Sequence, residues 1–292
     1  MSSGKTLRVL RKTGWIALLT LAVLLAIGEA LTIFLIPDLL PMAQPDADLG
    51  FRFRPNTCRT LYCYLRLGEG VLHYCTGARG QRAPAAGEQP ANNRPVIACF
   101  GDSHTWGDGL NAEQTYPGQL GALLPAHEVL NFGMTSYNAH QALAAMKRYF
   151  AASTPAVVIY QLCVNDDSAE YFLTPTDHIP PTGVGRLLWL LLTFKRHLRT
   201  TTDAAHAIQD AAELCRQKET PLLLYFFGRP PSVTDAVLEP LRRQGVCVLD
   251  GQSIPFRKEH EIRLDGHLSE RGNARLAGAL VDAMTACRML AP

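Results

Sequence analysis

Short apolar runs alternate with amphipathic segments over residues 95–292. Five of the runs have the length of strands that are buried on both faces of a sheet. They cover residues 96–100, 129–132, 156–163, 222–227 and 246–249. Between them, apolar residues recur at helical spacing over residues 139–150 and 204–215, and Ser269 precedes a last such segment as a candidate N-cap. The alternation predicts a parallel sheet covered by helices on both faces, with ligands beyond the carboxyl ends of the strands.

One long apolar segment, residues 15–36, precedes this region and contains a single charge, Glu29. A helix of about 20 apolar residues spans a bilayer. Basic residues lie only before the segment, so the positive-inside rule predicts a cytoplasmic basic tail at residues 1–14 and a transmembrane anchor at residues 15–36. The rest of the chain is then placed on the periplasmic or extracellular side.

Two alternatives to a single-pass anchor are open. A cleaved signal peptide is the first, since Gly28 and Ala30 are small residues of the kind that signal peptidases require. The second is a helix buried in the core. Near the outer end of an anchor, Glu29 could reach the membrane–water interface.

The charge distribution argues against nucleic acid as a partner. The chain has a net charge of +2, and its first 14 residues contribute +4, so the remainder carries −2. A mildly acidic body lacks the basic surface of nucleic-acid-binding proteins. Since 47% of the residues are hydrophobic, a wholly disordered chain is also excluded.

Residues 37–94 form a cysteine-containing extension that ends in a linker or irregular crossover rich in Gly, Pro and Ala, at residues 76–95. The spacing of Cys58, Cys63 and Cys75 matches no standard zinc site. Outside the cytoplasm disulfides persist, so we expect at least one among these three, with the pairing open. Cys99 and Cys163 lie in apolar runs and are expected to be buried thiols.

Four polar blocks follow predicted strands or precede the last helix. They read Gly101-Asp102-Ser103-His104, Asn131-Phe132-Gly133-Met134, Val164-Asn165-Asp166 and Asp265-Gly266-His267. A serine hydroxyl becomes a nucleophile when a base takes its proton, and a carboxylate beside a histidine orients that base. A glycine N–H and an asparagine amide can stabilise an oxyanion. Each block alone is common in turns and caps, but together they predict an acyl-transfer site.

With these blocks, the chain resembles a membrane-anchored member of the SGNH hydrolase superfamily, the GDSL-type lipases and esterases. The similar stretches read VIACFGDSHTWGDGLNAEQTYPGQL, EVLNFGMTSYNAHQAL, VVIYQLCVNDD and LDGHLSERGNARLA. The resemblance implies a hydrolase domain over residues 95–292, folded as a flavodoxin-like three-layer α/β/α sandwich with a parallel sheet. It also implies a nucleophile at Ser103, a base at His267 and an orienting carboxylate at Asp265. The implied oxyanion hole consists of Ser103, Gly133 and Asn165, and no cofactor or metal is implied.

Three positions depart from the usual family pattern. Cys163 stands where the third block usually has glycine, and the last block has one residue, not two, between Asp265 and His267. His104 replaces an apolar residue and is expected either to contact substrate or to form part of the cleft wall. A metal cluster of His260, Glu261, Asp265 and His267 is a weaker alternative for the last block.

The sequence therefore predicts a serine esterase that cleaves a carboxylic ester, such as an O-acetyl group on a glycan or a lipid ester, outside the cytoplasmic membrane. The alternative is an O-acyltransferase that modifies an extracytoplasmic polysaccharide. A non-catalytic surface protein that keeps the fold is a third hypothesis. The expected partners are the ester substrate and the membrane, and the oligomeric state is open.

Residues 185–199 contain six consecutive apolar residues, including Trp189, followed by Lys195, Arg196, His197 and Arg199. One interpretation is a helix packed in the core or in a dimer interface. The other is an exposed lid or a second contact with the membrane, since a Trp and Leu face with basic residues at its end suits the headgroup region.

Overall fold

The computed structural model describes residues 3–35, 40–62, 71–87, 93–168, 170–171, 173, 178–199, 203–263 and 265–290. Its helices are α1 (Ser3–Leu35), α2 (Ser103–Trp106), α3 (Tyr116–Leu123), α4 (Ala139–Ala152), α5 (Gly183–His197), α6 (Ala204–Gln217), α7 (Asp235–Arg243) and α8 (Glu270–Ala286). Its strands are β1 (Ala43–Asp46), β2 (Gly50–Phe53), β3 (Cys58–Tyr62), β4 (Val71–Thr76), β5 (Arg82–Ala83), β6 (Val96–Gly101), β7 (Glu128–Gly133), β8 (Val157–Leu162), β9 (Glu170–Tyr171), β10 (Leu198–Arg199), β11 (Leu222–Phe226) and β12 (Cys247–Asp250).

The central sheet has eight strands in the order β12-β11-β8-β6-β7-β5-β4-β3. The first five of these are parallel and correspond to the five predicted runs, each within one residue at either end. Numbered along the chain, they follow the order of a flavodoxin-like sheet, with the second strand at one edge of the parallel part. β6 therefore lies in the middle, and its carboxyl end points into the crevice where such folds bind ligands.

Helices cover both faces of the parallel strands, which confirms the predicted three-layer sandwich. α4, α6 and α7 pack on one face, and α3 and α8 pack on the other. The apolar faces predicted for α4 and α6 are buried, and Ser269 caps α8 by accepting a hydrogen bond from the Gly272 N–H. The helices therefore have the amphipathic pattern that a position between sheet and solvent requires.

Part of the linker or irregular crossover expected at residues 76–95 is strand instead, and residues 88–92 of it lie outside the described residues. β4 continues to Thr76, and β5 pairs antiparallel with both β4 and β7, so the sheet crosses the domain boundary predicted at residue 95. The buried Arg82 of β5 lies over the rings of Tyr74 and Trp106, and its guanidinium donates to the Leu110 carbonyl. A two-residue strand held by one arginine gives no periodic signal, and its flanking Gly and Pro residues are typical of turns.

The cysteines behave largely as expected. Cys58 and Cys75 face each other across β3 and β4 and form a disulfide, while Cys63 lies outside the described residues. Cys99 and Cys163 are buried thiols, as predicted. A second disulfide, between Cys247 of β12 and Cys287 after α8, was not predicted, because the two residues are 40 positions apart and lie in different elements.

α1 is one continuous helix, long and apolar enough over Arg11–Thr32 to span a membrane, a property that signal sequences share. Its large apolar side chains from Trp15 to Leu31 are exposed, so it is not the core helix that the sequence left as an alternative. Near its C-terminal end it contacts α5. The apolar surface of α1 therefore needs surroundings other than this chain or water.

The second disulfide ties an edge strand to the last helix, and its removal should destabilise the fold. We expect Cys247→Ala with Cys287→Ala to lower the free energy of unfolding by about 2–4 kcal/mol, as for other bridges that close long loops. Denaturant titration of the full chain in detergent measures this. Cys287→Ala alone should lose as much, because either change opens the bridge; unchanged stability in both variants would mean that the two thiols are not joined.

Candidate active site

The end of β6 presents the predicted nucleophile. Ser103 is the first residue of α2, and Asp102 caps this helix by accepting a hydrogen bond from the His104 N–H. The Ser103 hydroxyl lies 2.8 Å from Nε2 of His267, and Nδ1 of His267 is hydrogen-bonded to the Asp265 carboxylate. Three residues predicted from two separate motifs thus form one continuous hydrogen-bonded series, in which Ser103 and His267 are 164 positions apart in the sequence.

A tight turn brings Asp265 and His267 to the same side of the chain. The Ile262 carbonyl accepts the Asp265 N–H, and the Ile262 N–H donates to the His267 carbonyl at 2.7 Å. Gly266 between them has a φ of 88°, in the left-handed region that favours glycine. The one-residue spacing, a departure from the usual family pattern, therefore works because the intervening glycine reverses the chain.

A series of hydrogen bonds between buried polar groups connects the element after this turn to the helix of Ser103. Asn273 of α8 donates to the Leu268 carbonyl at 3.0 Å and accepts the Tyr116 N–H at 2.8 Å. The Tyr116 hydroxyl lies 3.0 Å from the Thr105 hydroxyl, which donates to the Gln161 side chain on β8 at 2.8 Å. Buried polar groups require partners, so this hydrogen-bonded series fixes α2, α3 and the start of α8 relative to one another.

Two of the three predicted oxyanion donors have N–H groups available. Within the described part of the chain, the Ser103 N–H and the Asn165 amide nitrogen make no hydrogen bond. The Asn165 side-chain oxygen lies 2.7 Å from the Cys163 sulfur, so the amide nitrogen points the other way. Cys163 at the usual glycine position is therefore accommodated and orients Asn165.

Gly133 has a structural role in this conformation. Its N–H donates to the Asn131 side-chain oxygen at 2.9 Å, and the Asn131 amide donates to the Thr105 carbonyl at 2.7 Å. A Cβ atom on Gly133 would lie 2.3 Å from the backbone nitrogen of Trp106, so only glycine lets α2 approach β7 this closely. Because its N–H is engaged, the oxyanion role of Gly133 stays a prediction.

Negative charge around His267 favours its protonated form. Burial lowers the pKa of His267, but its hydrogen bond to Asp265 and the charges of Asp108, Asp265 and Asp102 raise it, and the net shift is upward from the ordinary value. A base with a raised pKa accepts a proton more readily. It also requires a more alkaline pH to be neutral beforehand.

Asp108, whose charge helps to raise the pKa of His267, was not predicted from the sequence. Burial raises the pKa of Asp108 to about 6, while the nearby His267, a hydrogen bond from the Thr135 hydroxyl and the Arg82 charge oppose that rise. Asp108 stands between two glycines, a pattern that resembles an ordinary turn. Asn131 was also given no role, although a polar residue within a buried strand signals the need for a partner.

His104 forms part of the cleft wall. Its ring packs 3.9 Å from the Phe227 ring and 4.7 Å from the His267 ring, measured between centroids. Burial lowers the pKa of His104 to about 4, so the side chain is neutral at neutral pH and does not compete with His267 as a base. Of the two expectations for His104, the structure supports a wall position.

The proposed metal cluster of His260, Glu261, Asp265 and His267 does not form. Among the described residues, only Asp102, Cys163 and Asp166 bring ligand-type atoms within 4.8 Å of one another. Asp166 accepts the Cys163 N–H, and the Cys163 thiol donates to Asp102. Burial and the Asp102 charge raise the pKa of Asp166, and burial raises the pKa of the Cys163 thiol. Hydrogen bonds within the protein therefore account for this cluster.

Comparisons with known proteins find similarity at the level of the fold. No family model and no curated protein sequence matches the chain. The match to a solved structure of TesA covers 66% of this chain and 99% of the TesA chain, with 16% identity and a TM-score of 0.46. The SGNH-hydrolase family esterase AlinE4 covers 67% and 97%, with 19% identity and a TM-score of 0.40. A family 3 carbohydrate esterase from Clostridium thermocellum covers 68% and 100%, with 19% identity and a TM-score of 0.42. None of these identities exceeds 19%, so the similarity concerns the fold alone.

The charge of Asp108 should be visible in the pH profile of ester cleavage. His267 must be neutral to act as a base, and the charge of Asp108 raises the pKa of His267. Asp108→Asn should therefore shift the acid limb of kcat/KM to lower pH, by less than about one pH unit. The profile is measured with a short, soluble nitrophenyl ester. The exposed Asp282→Asn on α8 is the matched control and should leave the limb in place. An unmoved limb in Asp108→Asn would show that its charge does not act on His267.

Proposed function

We propose that this protein is a serine esterase that cleaves a carboxylic ester through an acyl-enzyme. The observation that carries the proposal is the hydrogen-bonded series from Asp265 through His267 to Ser103. A serine hydroxyl is a weak nucleophile alone, and this series supplies the base and the group that orients the base. The arrangement lies at the carboxyl end of β6, in the crevice where this sheet topology binds ligands.

In the first half-reaction, the Ser103 hydroxyl oxygen attacks the ester carbonyl carbon while Nε2 of His267 takes the hydroxyl proton. Asp265 keeps Nδ1 protonated and stabilises the imidazolium that forms. The carbonyl oxygen becomes an oxyanion held by the Ser103 N–H and the Asn165 amide. The tetrahedral intermediate then expels the alcohol, which receives the proton from His267, and leaves an acyl group on Ser103.

In the second half-reaction, water attacks the acyl carbon while His267 takes its proton, the bond between the acyl carbon and the Ser103 oxygen breaks, and His267 returns the proton to Ser103 as the carboxylic acid departs. Asp108 stabilises the imidazolium in both half-reactions through its charge. A sugar hydroxyl in place of water would make the same residues an O-acyltransferase. The described site has no feature that favours a sugar over water as the acceptor, so hydrolysis is the primary proposal.

We further propose that α1 is an uncleaved anchor and that the catalytic body lies on the periplasmic or extracellular side. Removal of α1 would take away Glu29, whose carboxylate accepts the N–H groups of Gly183 and Val184 in the body. The two disulfides suit an oxidising compartment. The basic tail at residues 1–14 then remains cytoplasmic. The substrate class consistent with this location is an ester on an extracytoplasmic glycan or lipid.

The nucleophile and the base can be tested together. Ser103→Ala and His267→Ala should each abolish ester cleavage with the fold intact, whereas Asn165→Ala, which removes one oxyanion donor, should cost about 10²–10³ in rate. A fluorophosphonate probe should label the wild type but not Ser103→Ala, and circular dichroism checks the fold. Labelling of a different serine would refute the assignment.

The topology has its own test. An alkaline phosphatase fusion after residue 60 should be active in a bacterial host, because alkaline phosphatase becomes active only after export. The native chain should also stay with the membrane fraction in high salt. A soluble, N-terminally trimmed protein that begins near Leu31 would show that α1 is a signal peptide instead.

A further inference from the structure

α5 exposes an apolar face that the described part of the chain does not cover. Its exposed large side chains are Leu187, Leu188, Leu191 and Leu192, and Leu192 is 85% exposed. On the other side of the helix, Trp189 packs against the cluster that contains Trp106 and Met134. Trp106 closes the short helix that Ser103 opens, so α5 and this helix pack on the same apolar cluster. The structure therefore excludes a helix packed fully in the core.

A close joint connects α5 to the end of α1. Glu29 caps α5, since its two carboxylate oxygens accept the N–H groups of Gly183 at 2.6 Å and Val184 at 3.0 Å. Thr32 is buried in the same contact. A Cβ atom on Gly183 would lie 2.2 Å from the Thr32 hydroxyl, so the backbone of α5 approaches α1 as closely as glycine allows. The first turn of α5 is thereby held at a defined level along α1.

That level is set by the anchor. Glu29 lies in the last two turns of α1, and in a helix with its basic end in the cytoplasm these turns emerge at the outer surface of the bilayer. α5 starts there, with four exposed leucines on the side away from the body. An apolar helix face with basic residues following it in the sequence matches segments that lie in the headgroup region.

We propose that α5 is an interfacial helix, which lies in the outer membrane–water interface with its leucine face in lipid and holds the active site beside the bilayer. The occupant of the exposed face is the phospholipid bilayer. The inference rests on the proposed function in one respect, that α1 spans the membrane. It implies that the enzyme acts on esters presented at or near the membrane surface.

The test places a photo-crosslinking residue in the full chain, reconstituted in phospholipid vesicles. The probe variant is Leu192→p-benzoylphenylalanine. Leu24→p-benzoylphenylalanine reports on the anchor, since Leu24 is exposed in α1. The matched control is Leu123→p-benzoylphenylalanine, because Leu123 is an exposed leucine on α3, a helix that packs against α8 and β7. Irradiation is followed by mass measurement of lipid adducts and by gel analysis of crosslinked dimers.

Lipid adducts at positions 24 and 192, with several-fold less at position 123, would support the proposal. Adducts at 24 without adducts at 192 would overturn it while leaving the anchor intact. Absence of adducts at 24 would overturn the anchor and this inference together. A crosslinked dimer from position 192 would also overturn it, because the leucine face would then be an interface between two copies.

The joint provides a second measurement. Glu29→Ala removes the acceptors of the Gly183 and Val184 N–H groups, so lipid adducts at position 192 should fall several-fold while those at position 24 stay constant. Glu29→Gln keeps one carbonyl oxygen and should give an intermediate result. Unchanged adducts at 192 in Glu29→Ala would contradict the role of the joint in holding α5 at the interface.

Discussion

The arrangement of the site depends on the buried polar chain from Asn273 through Tyr116 and Thr105 to Gln161. Ser103 and His267 come from opposite ends of the α/β region, and no strand pairing connects the turn of His267 to α2. A hydrogen-bonded chain in a dry interior tolerates little displacement, because each broken bond leaves an unsatisfied polar group. The apolar layers place the elements approximately, and this series of hydrogen bonds sets the contact between Ser103 and His267.

Electrostatics around the base follow from the same packing. The carboxylates of Asp265, Asp108 and Asp102 all raise the pKa of His267, against the effect of burial. The ring of His104, neutral because it is buried, packs beside the imidazole without adding a charge. The site thus stabilises an imidazolium, the form in which His267 exists between the two proton transfers of each half-reaction.

The contact between α1 and α5 joins the α/β body to the long apolar helix. A flexible linker at this point would let the candidate active site sample many distances from a membrane. Instead, the Glu29 carboxylate of α1 caps α5, and Trp189 of α5 packs on the apolar cluster that also contains Trp106. The proposed location of the substrate at the membrane surface rests on this connection and on the four exposed leucines of α5.

The sequence by itself determined the five parallel strands and the amphipathic helices α4, α6 and α8, which depend on local periodicity, and motifs of a few residues predicted Ser103, Asp265 and His267. It predicted a disulfide among Cys58, Cys63 and Cys75 but not its pairing. Tertiary structure decided the antiparallel strands from residues 37–94, the bond between Cys247 and Cys287, the engagement of the Gly133 N–H by Asn131, and the cap that Glu29 provides. Apart from the Gly133–Asn131 bond within β7, these are contacts between different elements. Buried polar groups pair because an unpaired group away from water would be costly, and no pattern within a single segment records which partner the fold will bring.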